Sequence, residues 1–405
     1  MRAGENLRAV MRFEPIELDP VIRRLSRAAN VADLRRIARR RLPSGVFDYI
    51  DGGAEDEHTL RRNVNGFRRY EFRPRVLRDA SMLNTRSRLL GKEVALPLVV
   101  APMGFVRIAD PAGELALARA AARAGVPFSL STMATRSIEE VAAVSEGPKW
   151  FQVYVWRDRG LLRELLARAR AAAYDAITIS VDTAVLGRRE RDVRRGFTLP
   201  PKIGPGTLVD GLIHPGWTWS FLRAEPILFA NVVGKGVGDG VEAVSLAQHF
   251  AEQFDPAHSW DDIGWFREQW GGPIVIKGIQ TVDDARIAAD IGVEAVALSN
   301  HGGRQLDGAP APIELVEPVA QEVGGKVEII CDGGVRRGSD IVRALALGAD
   351  ACMVGRPFLY GLAAGGERGT DFVFDFLHSG MRQTMALVGA TAVSEITREL
   401  VARRP

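Results

Sequence analysis

From Leu96 onward the chain repeats one unit: a short apolar run, a polar break, then a stretch with helical spacing. The apolar runs are LPLVVAP (96–102), PFSLS (127–131), FQVYV (151–155), AITISV (176–181), PIVIKG (273–278), AVALSN (295–300), VEIICD (327–332) and ACMVG (351–355). Between most of them lie alanine-rich stretches such as Glu114 to Ala124 and Gly338 to Leu347. Strands that read as continuous apolar runs are buried on both faces, which implies a parallel sheet wrapped in helices. Eight such units in about 260 residues match a (β/α)8 barrel in number and size. An open doubly wound sheet is the competitor, but it carries a Gly-rich nucleotide turn after its first strand. Here that strand runs into Ala101-Pro102-Met103-Gly104, which is no such turn. The expected fold class is therefore α/β, a TIM barrel.

The rest of the chain is arranged around that barrel. Residues 1–30 are arginine-rich and read as an irregular tail; residues 31–405 read as the barrel domain, opening with a helix over Val31 to Arg41. The arginines of that helix read as a solvated face. Phe47 and Tyr49 precede a Gly52-Gly53 break, and a helix is expected from about Glu55. One connection is out of proportion: nearly 90 residues separate Val185 from Pro273, with an insertion at about 199–262. It carries Trp217, Trp219, Phe221 and Phe229 among scattered Pro and Gly. Long loops in compact domains are lids or binding surfaces. This one reads either as a lid on the barrel mouth or as a surface for a membrane or redox partner.

With 46% hydrophobic and 25% charged residues in 405, the chain can fill a large core. A net charge of +3 gives no argument for a nucleic-acid partner. Cys331 and Cys352 sit in apolar runs and read as buried thiols in a reducing cytoplasm. The opening MRAGENLRAVMRFEPIELDP lacks the apolar segment of a signal peptide, and no apolar run approaches the length of a bilayer span. The expectation is a soluble or peripheral protein.

Side chains at the C-terminal strand ends of such a barrel converge on one mouth. In order they are Met103-Gly104, Ser131-Thr132, Gln152 and Tyr154, Ser180 and Asp182, Lys277, His301 with Arg304, Asp332-Gly333-Gly334, and Gly355-Arg356. Gly333, Gly334, Gly355 and Arg356, with Arg336 nearby, come from the last two strands, where barrels commonly bind phosphate. Gln152, Ser180 and Lys277 offer hydrogen bonds to the edge of a flat heterocycle. A lysine there is costly unless an anionic or electron-rich partner is present. His301 with Asp182 suggests a base whose protonated form a carboxylate supports. Arg304 and Arg189 suit a carboxylate clamp; the lesser alternative for Arg189 is a charge network with Glu190 and Asp192. No set of residues calls for a metal.

These residues resemble the FMN-dependent 2-hydroxy-acid oxidases and dehydrogenases. SNHGGRQLD (299–307) is the most specific stretch, joined by VFDY (46–49), LST and ATRS (130–137), FQVY (151–154), VDT and LGRRE (181–190), IVIKG (274–278), DGGVRRG (332–338) and VGRP (354–357). The resemblance implies FMN as cofactor and oxidation of an L-2-hydroxy acid, with L-lactate and a quinone-type acceptor as the first choice. Its alternatives are an oxidase using O2 and a dehydrogenase of a larger acid such as mandelate. It implies His301 as base, Asp182 as its charge partner, and Arg304 with Arg189 as the carboxylate pair. Tyr49 and Tyr154 become substrate contacts, and Lys277 lies beside flavin N1 and O2. Ser131, Gln152 and Ser180 match the flavin edge, Asp332 the ribityl chain, and Arg336, Gly355 and Arg356 the phosphate end. Pro102, Met103, Gly104, Ser299, Gly333 and Gly334 complete the expected cofactor set. Gly104 stands where alanine is common, so the missing methyl is expected to open space. The long loop is most similar to that of lactate dehydrogenases. This implies peripheral contact with the inner face of the cell membrane through about 211–233, and a homotetramer.

Overall fold

The computed structural model describes residues 17–195, 204–232 and 253–404. The parts of the long insertion at 196–203 and 233–252, and the tail at 1–16, lie outside the described residues. Eight parallel strands close into a barrel: β1 (Leu98–Val100), β2 (Phe128–Ser131), β3 (Lys149–Tyr154), β4 (Ala176–Ser180), β5 (Ile274–Ile279), β6 (Ala295–Ser299), β7 (Glu328–Asp332) and β8 (Ala351–Val354). Closure is made by β8 on β1, with Val354 opposite Val100. Each apolar run of the sequence holds one of these strands, as their burial on both faces requires.

A helix follows each strand before the next begins, including Gly113–Ala124, Ile138–Val144, Arg159–Ala171 and Asp262–Trp270 in the first half. Local sequence starts them. Ser137 and Glu140 form a reciprocal capping box, and Asp158 and Thr281 accept backbone N–H groups at their helix starts. The interior of the barrel is filled by Val99, Trp150, Val275, Ile330 and small residues such as Ala176, Ala295 and Ala351. Leu89 and Val94, from the antiparallel hairpin Ser87–Leu89/Lys92–Val94, plug its base. A larger core lies between strands and helices. Cys331 and Cys352 are register partners on β7 and β8, both buried free thiols.

Two expectations change. Part of the presumed tail is helical: Pro20–Leu25 is capped by Asp19, and Arg24 Nε donates to Ala364 O at 2.7 Å. The apolar Leu25, buried against the core, gives that segment a reason to pack. The helix expected from Glu55 begins at His58, because Glu55 and Glu57 both hold left-handed φ.

Among the described residues, the insertion after β4 carries the helices Pro205–Ile213 and Pro215–Arg223. Trp217 Nε1 donates to Ile108 O at 2.8 Å, Arg107 donates to Glu225 O at 2.7 Å and Pro226 O at 3.2 Å, and Ser44 N donates to Asp210 at 2.6 Å. The helical pair is thus fixed to the barrel, yet Leu212, Leu222 and Ile213 are 77%, 71% and 67% exposed. Among the described residues no helix is long and apolar enough to cross a membrane.

Candidate active site

The C-terminal ends of the strands surround a cavity of about 290 Å³, near the lower end of the roughly 300–1,000 Å³ common for ligand pockets. Its lining includes Tyr49, Pro102, Met103, Gly104, Tyr154, Arg189, Lys277, His301, Arg304, Asp332, Gly333, Gly334, Arg336, Gly355 and Arg356. Ser131, Gln152, Ser180 and Ser299 are buried beside it and form hydrogen-bonded links between strand ends. Strand register puts them there: Ser131 is opposite Gln152, Ser180 opposite Lys277, and Ser299 opposite Asp332.

One chain of bonds runs from β2 to β4. Ser131 Oγ donates to Gln152 Oε1 at 2.9 Å, and Gln152 Nε2 donates to Ser180 Oγ at 3.1 Å. A second joins β5, β6 and β7. Lys277 Nζ lies 3.0 Å from Ser299 Oγ and 2.9 Å from Asp332 Oδ2, while Ser299 Oγ donates to Asp332 at 2.7 Å. Burial pulls the Lys277 ammonium pKa down, but Asp332 and Asp182 more than offset it, so the group stays charged.

His301 takes a left-handed φ of 57°, an uncommon conformation that histidine tolerates better than most residues. Its N–H donates to Ser299 Oγ at 3.1 Å, and its Nδ1 lies 3.1 and 3.2 Å from the Asp182 oxygens. Asp182 approaches closely because residue 278 is glycine. At φ +115 any Cβ there would lie 2.8 Å from Asp182 Cβ. Burial pushes the Asp182 carboxyl up, but His301 and Lys277 outweigh it and hold the carboxyl below its usual range. Gln305 locks the two loops together, donating to Asp182 O and Val185 O at 2.9 Å and accepting from Gly187 N at 2.9 Å.

Arg304 and Arg189 face the same ring, their guanidinium carbons 5.2 and 5.8 Å from the centroid of Tyr49. Arg304 donates to Tyr49 O at 2.7 Å and Gly52 O at 3.2 Å. Burial, reinforced by repulsion from Arg189, draws Arg304 down to about 9. Among the described residues the carboxylate paired with Arg189 is Asp192 at 3.8 Å, while Glu190 pairs with Arg194. Two guanidiniums converging with this little compensation favour a bound anion. Tyr154 is pushed upward by burial and then Asp182, which keeps it a neutral phenol.

The residues fit FMN. Helix Gly338–Ala346 has its N-terminus occupied, since Asp340 accepts from the backbone N–H of Arg336 and Arg337 at 3.0 Å. Helix Arg356–Val388 has no side-chain cap at Gly355, leaving a helix start at the cavity for a phosphate. Gly334 brings the chain against the preceding helix layer: a Cβ there would sit 2.0 Å from Asn63 O. Arg356 spends three of its five N–H donors on Ile50 O, Gly302 O and Gly52 O at 2.9, 2.8 and 2.6 Å, so two remain. Arg336 gives Nη1 to Val335 O at 2.8 Å and lines the same cavity.

Sequence reasoning missed the apolar part of the lining. Phe229 comes from the middle of the insertion and Phe254 from its returning end, Met133 follows β2, and Leu186 follows β4. Phe254 meets Tyr154 edge-on at 5.1 Å, and Phe105 bridges Tyr49 and Phe229 at 6.2 and 5.8 Å. No periodicity marks such residues. Phe229 was visible as one aromatic of a suspected lid. The space expected at Gly104 is taken up by Met133, whose Cβ and O lie 3.0 and 3.2 Å from where a Gly104 Cβ would stand.

Residues 38–403 match the FMN-dependent dehydrogenase family. The chain is 45% identical over 393 residues to a putative L-lactate dehydrogenase of Mycobacterium tuberculosis, covering 97% of this chain and 93% of that one. An L-lactate dehydrogenase of Caulobacter sp. is 42% identical, with 93% and 98% covered. Among solved structures, a monotopic membrane protein, (S)-mandelate dehydrogenase, superposes with a TM-score of 0.90 at 37% identity, covering 93% of this chain and 100% of that one. The chain belongs to the FMN-dependent dehydrogenase family. Within it, this protein is an FMN-dependent 2-hydroxy-acid dehydrogenase, similar to the L-lactate dehydrogenases.

Proposed function

We propose that the protein oxidises L-lactate to the 2-oxo acid and passes the electrons to a membrane quinone. The observation that carries this reading is the His301–Asp182 pair standing on the same cavity as Arg304 and Arg189. The two arginines hold the substrate carboxylate, and Tyr49 and Tyr154 shape the space beside it. Asp182 holds Nδ1 of His301, which leaves Nε2 to accept a proton from the substrate. As that proton arrives, the Asp182 carboxylate stabilises the imidazolium. FMN, when bound, supplies the two-electron acceptor. Lys277 places a fixed positive charge at the edge where negative charge would build, and Ser131, Gln152 and Ser180 offer hydrogen bonds to the same heterocycle. Asp332 would face the ribityl chain, and Ser299, Pro102 and Met103 would complete the set that holds the cofactor. Gly333, Gly334, Arg336, Gly355 and Arg356 hold its phosphate end.

A second reading, a larger acid such as mandelate, is supported by the aromatic wall of Phe229, Phe254 and Tyr154. Turnover with L-lactate and L-mandelate, each with O2 or a soluble quinone and with peroxide measured, separates these. Faster quinone-dependent turnover of L-lactate, with little peroxide, is expected. Stoichiometric peroxide from L-mandelate and silence with lactate would contradict the leading version.

The quinone-facing surface is the helical pair at 205–223. Its Leu208, Val209, Leu212, Ile213, Trp219 and Leu222 are all more than half exposed. Such a face is suited to insertion at a bilayer surface rather than across it. Burying a leucine side chain is worth about 1.5–3 kcal/mol. The double variant Leu212→Glu/Leu222→Glu is therefore expected to move the protein from the membrane pellet to the supernatant. Its turnover with a soluble acceptor should match that of the parent. An unchanged distribution would remove this surface from the account.

A further inference from the structure

We propose that Asp51 is a positioning residue, holding the turn whose backbone carbonyls fix the substrate-side Arg304 and the phosphate-side Arg356. Asp51 ends the helix Ser44–Asp51 and does not line the cavity; Tyr49 and Ile50, just before it, do. A helix leaves its last carbonyls without helical partners, and those carbonyls carry the negative end of its dipole. Here the site arginines take them. Tyr49 O and Gly52 O accept from Arg304, while Ile50 O and Gly52 O accept from Arg356. Gly52 O is shared by both, so one peptide sets the spacing between the two cations.

What fixes that peptide is the side chain beside it. Asp51 is 4% exposed and takes bonds from three separate elements. Arg35 Nη2 of helix Val31–Arg41 donates at 2.7 Å, Arg191 Nη1 of the short helix Glu190–Arg195 after β4 at 2.9 Å, and Tyr360 Oη of helix Arg356–Val388 at 2.7 Å. Burial pushes the carboxyl up, but the bonds from Arg35, Tyr360 and Arg191 outweigh it and hold it near 2. Two of the three partners are close in sequence to a site residue: Arg191 to Arg189, and Tyr360 to Arg356. Arg191 is steadied further by Glu57, whose carboxylate also accepts from Gly53 N at 3.0 Å. A buried, multiply bonded carboxylate of this kind keeps its geometry only while every partner is present. Displacement of the turn would move the Arg304 guanidinium with respect to the His301 ring, which is held by Asp182 rather than by the carbonyls of the turn.

This inference rests on the reading of Arg304 as the carboxylate clamp, and the test separates the two. In the flavin-loaded enzyme, Asp51→Asn is expected to raise KM about 10-fold or more, with a much smaller change in kcat. The dissociation constant of oxalate, measured by calorimetry, should rise in parallel. Tyr360→Phe, which removes one bond and risks little else, should shift both in the same direction by a smaller factor. Asp33→Asn is the control: Asp33 is 8% exposed and paired with Arg36 in the same helical layer, without contact to the turn. It should lower Tm and leave KM and oxalate binding alone. The proposal is overturned if Asp51→Asn lowers Tm with KM and oxalate affinity unchanged, or if Asp33→Asn raises KM equally. It is overturned too if Asp51→Asn does not fold and Tyr360→Phe binds oxalate as the parent does. Should Arg304→Met leave oxalate binding intact, the clamp reading itself is what fails.

Discussion

His301→Gln is expected to retain FMN and lose turnover by about 10³–10⁴-fold, the upper part of what a positioned base contributes. The expectation follows from where the ring is anchored. Its bonds go to Asp182 and, through the backbone, to Ser299. Lys277 and Asp332, proposed to hold the cofactor, bond each other and Ser299 rather than the imidazole, so removing the ring should not loosen them. Glutamine can still bond Asp182 but has no basic nitrogen. Asp182→Asn should cost less, since the base remains while the support for its cation is gone. Flavin content after gel filtration checks both variants. Loss of FMN in His301→Gln would mean that the ring is a structural post.

Arg304→Met should lower kcat/KM by about 2–5 kcal/mol, expressed mainly in KM, as for a buried charge-assisted pair that loses one partner. The side chain faces a cavity shared with Arg189, and the partner proposed for it is the substrate carboxylate. Without it, one guanidinium must orient the acid alone. Arg304→Lys preserves the charge but loses the planar fork that reaches Tyr49 O and Gly52 O while facing the ligand, so it should recover only part of the loss. Steady-state kinetics with L-lactate resolves these effects. An unchanged KM in the methionine variant would count against the clamp.

The barrel could be read from sequence because burial on both faces forces each strand into an unbroken apolar run, and eight such runs survive in order. The polar strand ends were equally readable: once the strands are parallel, His301, Asp182, Lys277 and Asp332 must share a mouth. The partners of Lys277 were not. Lys277 bonds Asp332 and Ser299 directly and reaches Asp182 only electrostatically, which depends on register. Tyr49 carries no pattern of its own, since a helical tyrosine near a glycine break is ordinarily core; the family resemblance singled it out. Arg35, read as part of a solvated face, grips a buried carboxylate instead. Helical spacing shows which side of a helix is polar, not which polar group has a buried partner across the fold. Phe254 escaped because its place on Tyr154 depends on how a long insertion returns to the barrel.

The central claim is that this cavity oxidises 2-hydroxy acids through its bound flavin. Anaerobic mixing of the purified yellow enzyme with one equivalent of each of several L-2-hydroxy acids tests it most directly, with the visible flavin absorbance followed in time. The account predicts bleaching by L-lactate, none by its D-enantiomer, and recovery of colour when a quinone analogue is added. Flavin that stays oxidised with every acid in the panel would contradict it.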